Sequence, residues 1–138
     1  GHYFVGENPV IDVVIPTQMK DGYLFVSALD VSGNVFHLLP NLLVKDNSVA
    51  TLRDGRNGPL SIRVAHSLAD AADGSKLAFV VDDTALGKTK VIALHSDEQI
   101  FDGLRPTTES ASGYATALGE HVSSVKSLDS RILTTGKQ

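Results

Sequence analysis

A chain of 138 residues with 16 acids, 12 bases and no cysteine fits one domain, large enough to bury roughly two-thirds of its unfolded surface. The formal charge of -4 is spread along the chain without a basic cluster, which removes the electrostatic footprint for nucleic acid and disfavours an anionic membrane surface. Disulfides, thiolate chemistry and Cys-based zinc sites are excluded, and no apolar run approaches the ~20 residues that a membrane-spanning helix needs.

Gly1-His2 reads as a tag remnant, and the chain as one domain over 3–138 cut from a longer protein. After the break Gly6-Glu7-Asn8-Pro9, Val10 to Ile15 alternates. Asp12 marks the exposed face, Ile11, Val13 and Ile15 form the other, and Pro16, which has no N–H to give a ladder, ends the strand. Tyr23 to Leu29 is apolar on both faces, as a central strand should be. Val35 to Leu39 forms a hairpin with it across Val31-Ser32-Gly33-Asn34, and Pro40 stops the pairing.

The stretch from Leu42 to Pro59 is rich in turn residues, with a short strand expected at Ser48 to Leu52. Leu60 to Ala65 is a strand with Leu60, Ile62 and Val64 facing in. Ser67 to Asp73 is at most a brief helix, capped by Ser67 and stopped by Gly74. Lys76 to Asp82 and Lys88 to Leu94 are expected to form a second hairpin. Thr107 is read as an N-cap with Glu109 in the first helical turn. The helix that follows carries Tyr114, Ala117, Leu118, His121, Val122 and Val125 on one face and ends at Lys126; a last strand is expected at Arg131 to Thr135.

Chemical motifs are weak. Gly87-Lys88-Thr89 resembles the end of a phosphate loop, but Asp82 stands where its first glycine belongs. The histidines are scattered, none in a metal-binding pair, and His95 with Asp97 would need a third ligand from elsewhere. His95-Ser96-Asp97 holds the residue types of a hydrolytic triad, yet neighbours in sequence cannot adopt triad geometry. Asp82-Asp83 point to opposite faces of a strand, and Asp30, Ser32 and Asn34 lack the remaining ligands of a calcium loop. No catalytic, metal or cofactor site is therefore assigned. The candidate binding surface is Asn41, His95, Asp97 and Arg105, at the hairpin ends, with Arg105 alternatively fastened to Glu109 or Asp102.

Four motifs in order, Tyr3-Phe4-Val5-Gly6-Glu7, Gly22-Tyr23-Leu24, Asp30-x-x-Gly33-Asn34-Val35 and Leu38-Leu39-Pro40-Asn41, resemble the bacterial domain-of-unknown-function 4384 family, whose members look like F-x-V-G-E, G-Y-L, D-x-x-G-x-V and L-F-P-N. Leu39 replaces the usual Phe, and Gln99 stands where a proline is usual near the end of the core at Phe101. The resemblance implies a non-catalytic domain appended to caspase-like peptidases, kinases or envelope proteins, with Gly22, Tyr23, Gly33, Pro40 and Asn41 as structural positions. The expected fold is mainly β, an immunoglobulin-like or transthyretin-like sandwich of about seven strands with one C-terminal helix. The expected function is an accessory module for a protein partner or an attached catalytic domain, without direct membrane insertion. The alternative is a module for a small ligand or carbohydrate. The compartment is open, with periplasm or cell envelope preferred to cytoplasm.

Overall fold

The structure, a computed structural model, describes residues 2–4, 10–29, 33–78, 87–101, 103–119 and 125–136, with the backbone path alone for 2–4, 87–89 and 125–136. The fold is mainly β, in two sheets. The strands are β1 (His2–Phe4), β2 (Ile11–Ile15), β3 (Tyr23–Leu29), β4 (Asn34–Leu39), β5 (Leu60–Ala65), β6 (Gly87–Ser96), β7 (Thr108–Ser110) and β8 (Val125–Gly136). Helices α1 (Val49–Arg53) and α2 (Ala111–Gly119) complete the elements. The larger sheet has the order β1-β8-β6-β3-β4-β7, and β2 pairs with β5 in the smaller. Among the described residues the layers hold six and two strands, eight where about seven were expected. All pairs are antiparallel except β1 with β8.

Period-2 alternation explains how the sheets meet. Ile11, Val13 and Ile15 of β2 are buried while Asp12 and Val14 are exposed. They pack with Leu24, Val26 and Ala28 of β3, Leu38 of β4 and Val91 and Ala93 of β6 in the main core. The opposite face of β3 builds a second, smaller cluster around Phe25, Leu94 and Ile100, with Phe101 and Leu118 against it. One central strand thus serves two cores, so both of its faces had to be apolar.

Several expectations change. Ser48 to Leu52 is helical: the Ser48 hydroxyl accepts from Thr51 N–H as an N-cap, and Asp54 in the left-handed region closes α1. Arg53 of α1 is buried and donates to the carbonyls of Pro16, Thr17, Met19, Arg56 and Gly58. One guanidinium therefore satisfies two turns that have few backbone partners of their own. Ser67 to Gly74 is a run of turns, with Ser67 accepting from Asp70 N–H.

The second hairpin does not form as expected. From Lys90 to Ser96 the two edges of β6 are taken by β3 and β8, and Ala78 instead bridges His66 beside β5. Residues 79–82 of its first arm lie outside the described residues, as do His121 and Val122 of the expected helical face. Thr107 does not cap a helix either: Thr108 to Ser110 is strand, paired with Asn34 to Phe36, and Ser110 caps α2 by accepting from Gly113 N–H. Val125 and Lys126 begin β8 rather than end a helix. Through β7 and β8 the segment after Pro106 is woven into the large sheet.

Where β4 leaves β3 the chain solves a pairing problem. The Leu39–Pro40 peptide bond is cis and the ladder ends opposite Val26. Asn47 takes over: its carbonyl accepts from Leu24 N–H and its side-chain amide donates to Leu24 O. Asn47 is fully buried, and its side-chain oxygen accepts from Gln99 Nε2 at 3.1 Å, so both ends of its amide are used.

Gly22 and Gly33 both have positive φ, 84° and 90°. A β-carbon on Gly22 would lie 2.5 Å from the Ser96 carbonyl oxygen and from His95 Nε2, whereas nothing stands within 4 Å of one on Gly33. Gly33→Ala is expected to cost about 1–2 kcal/mol from the left-handed backbone alone. Gly22→Ala should cost at least ~3 kcal/mol because backbone must also move. Urea unfolding of the two variants tests this, and equal losses would contradict the close approach at Gly22.

Candidate functional site

The outer face of the large sheet, beneath α2, gathers the polar groups. Ser27 and His37 are register partners on β3 and β4, and Ser27 Oγ lies 2.8 Å from His37 Nδ1. His37 Nε2 is 2.6 Å from Glu109 Oε2 on β7. Arg105 grips the same carboxylate with its fork, Nε to Oε2 at 2.9 Å and a second bond to Oε1. The Tyr114 ring of α2 meets the His37 ring edge-on with centroids 4.8 Å apart.

Proton positions follow from chemistry. Hydrogen bonds from Arg105, helped by His37, hold the Glu109 carboxyl below its usual range, so it is ionised and only accepts. His37 Nε2 must then carry a proton. Burial pushes the His37 pKa down against the pull of Glu109, which leaves Nδ1 as an acceptor for the Ser27 hydroxyl proton.

Serine, histidine and carboxylate stand here in the hydrogen-bonded order of a hydrolytic triad, yet the access is wrong. Ser27 is 1% exposed, lies under Tyr114 and does not reach a cavity wall. A nucleophile must touch its substrate. The series works as a buried strut joining β3, β4, β7 and α2.

Beside the strut lies a cavity of about 220 Å³. Phe25, Leu39, Phe101, Leu104 and Tyr114 supply apolar wall, and His37, Lys45, Asn47, Gln99 and Arg105 supply polar groups. Phe25 and Phe101 pack edge to face at 5.6 Å, and the Arg105 guanidinium lies over the Phe101 ring at 5.4 Å. A second recess of about 370 Å³ shares His37, Pro40, Leu104 and Arg105 and adds Asn41, Leu42, Pro106 and Thr107.

Of the four sequence candidates, Asn41 and Arg105 meet at this second recess. His95 and Asp97 line neither: His95 Nε2 donates to Asp21 O at 2.8 Å, and Asp97 is exposed beyond the end of β6. Asn41 is a turn clip. Its Oδ1 accepts from Leu43 and Val44 N–H, at 2.7 and 2.9 Å, and its Nδ2 donates to Leu38 O. Arg105 fastens the connector to Glu109, one of the two anchors the sequence offered. The structural motif residues sit at turn and strand positions: Gly22 and Gly33 with positive φ, Tyr23 opening β3 and Pro40 in the cis bond.

Sequence reasoning missed Ser27, His37 and Asn47, and offered Glu109 only as an anchor for Arg105. Only the position of His37, between buried Val35 and Leu39 on one strand face, signalled a buried polar group in need of a partner. Among the described residues no group of three or more potential ligands is placed to hold a metal, and no helix is long and apolar enough to cross a membrane. Comparisons with family models, curated proteins and solved structures return no match for this chain. The resemblance to the domain-of-unknown-function 4384 family rests on its motif residues alone.

The strut makes stability depend on pH with a definite sign. A folded-state pKa of His37 below the ordinary ~6.5 means that the unfolded chain takes up the proton first. This contribution is complete above that value and is lost as pH falls below it. The Glu109 contribution is lost only further down, below the ordinary carboxylate range. Among the described histidines His66 is shifted the same way, by burial and then by Lys76 and Arg63. The urea midpoint should therefore drop between about pH 7 and pH 5.5. In His37→Gln a substantial part of that drop should vanish, with the His66 part remaining, and an unchanged slope would refute the assignment.

Proposed function

We propose that this chain is a non-catalytic accessory module that docks on a protein partner, or on a catalytic domain attached to it, through the turn Leu42-Leu43-Val44. The carrying observation is that these three apolar side chains are 71%, 48% and 42% exposed on a turn that Asn41 clamps through side chain and backbone. Apolar groups held rigidly in water have little conformational entropy left to lose on binding. Exposed Leu104 and half-buried Pro40 line the second recess together with Leu42, which extends the patch beyond the turn. The family resemblance supports the same reading, as does the burial of the only serine–histidine–carboxylate series among the described residues. A bacterial envelope or signalling setting follows from that resemblance.

A second reading, a module for a small ligand, is favoured by the cavity beside the strut. Carbohydrate is the poorer candidate, because sugars stack on open aromatic faces and here Phe25 and Tyr114 are buried at 3% and 5%.

Leu42→Ser with Leu43→Ser should leave the fold within about 0.5 kcal/mol of the parent, since neither side chain is in the core. It should weaken the partner complex by about 100-fold if each leucine contributes about 1.5 kcal/mol on burial. The check is capture with wild-type and double-variant bait, followed by titration of the species retained by the wild type. Equal retention by both would remove the turn as the docking surface.

A further inference from the structure

We propose that the cavity beneath α2 binds a small organic acid, a monocarboxylate on a compact aromatic or short aliphatic body. This rests on the small-ligand reading and not on the Leu42–Val44 turn. At about 220 Å³ the space exceeds the roughly 150 Å³ of an apolar cavity that takes up benzene, so it matches one ring or a short chain with a head group. The inner wall is apolar: Phe25, Leu39, Phe101 and Tyr114.

The charge of the lining sets the head group. Among the described residues Lys45 and Arg105 line the cavity and no acid does, in a chain where acids outnumber bases 16 to 12. The nearby carboxylates are committed elsewhere or stand off the wall. Glu109, behind it, is held by Arg105 and His37. Asp46 accepts from Ser48 N–H and the Thr51 hydroxyl. Asp97 and Glu98, both exposed, precede Gln99 but are not part of the lining. Lys45, by contrast, is exposed and enters no salt bridge among the described residues. Its ammonium is placed to meet a carboxylate whose apolar body is inside, and the Gln99 amide, which gives one N–H to Asn47 Oδ1, is in the same lining.

The same chemical group occurs in a free acid and at a peptide C-terminus with an apolar last residue, so the test carries both. Isotope-labelled protein is titrated with phenylacetate, neutral phenylacetamide, and acetyl-Gly-Phe as free acid and as amide, following backbone amide shifts at Gln99, Gly103 and Tyr114. Phenylacetate should saturate those shifts with a Kd on the order of 0.1–1 mM, about 10-fold tighter than its amide. Lys45→Gln, an exposed change that leaves folding intact, should abolish that difference and leave the amide affinity unchanged. Tighter binding of the peptide acid than of phenylacetate would assign the group to a chain terminus and uphold the carboxylate chemistry. Equal binding of acid and amide, or acid selectivity that survives Lys45→Gln, overturns the proposal while the small-ligand reading stands. No saturable shift with any probe overturns both.

Discussion

The carboxylate of Glu109 is the constraint on which this face of the molecule depends. It lies in a strand of three residues, too short to hold the sheet edge by ladder bonds alone. His37 Nε2, Arg105 Nε and a terminal Arg105 nitrogen all donate to it. That set fixes β7 against β4, pins the connector through Arg105 and places the guanidinium over Phe101. Any one donor removed leaves charge or a polar group uncompensated in a largely dry site, and such losses run to several kcal/mol. A well-packed apolar replacement of the whole set need not cost as much. The network therefore specifies where α2, β7 and the connector sit more than it adds net stability.

The cavity follows from the same geometry one layer out. β4 ends at Leu39, opposite Val26, so the Tyr23–Leu24 end of β3 has no β4 neighbour. Asn47 fills the lost backbone pairing, and Gln99 donates to its side-chain oxygen at 3.1 Å. These substitutions satisfy the polar groups but do not restore the side-chain volume that a continued strand would have supplied. The space between Leu39, Phe25 and Phe101 stays open, with a mouth framed by a turn on one side and the connector on the other.

What the sequence disclosed was local. Tyr23–Leu29 and Leu60–Ala65 are strands with the boundaries that alternation set. The exposed Asp12 face and the Pro40 stop hold as well. Errors arose where two local signals competed. Ser48 and Thr107 both fit N-caps; Ser48 is one inside a stretch read as strand, and Thr107 is not, because pairing of the next three residues with β4 outweighs helix propensity there. Val125 and Lys126 fit a helical face by spacing, but a strand position next to β6 decides their state. The strut was illegible for a plainer reason: 72 residues separate His37 from Glu109, and no spacing rule acts over that distance. Arg105 with Glu109, four apart, was within reach of such a rule and was offered by it.

The division between buried and accessible groups bears most directly on function. The side chains with the greatest capacity for chemistry, Ser27, His37 and Glu109, consume one another's donors and acceptors away from solvent. Around the cavity and the turn beside it stand groups of another kind, three aliphatic side chains on a clamped turn, a lysine and a glutamine in the cavity lining and an aromatic wall, with His37 reaching the lining from the strut. The same strut holds Arg105 and Phe101 where they frame the cavity. The satisfied polar series at the centre and the ordered rim are thus two consequences of one buried network.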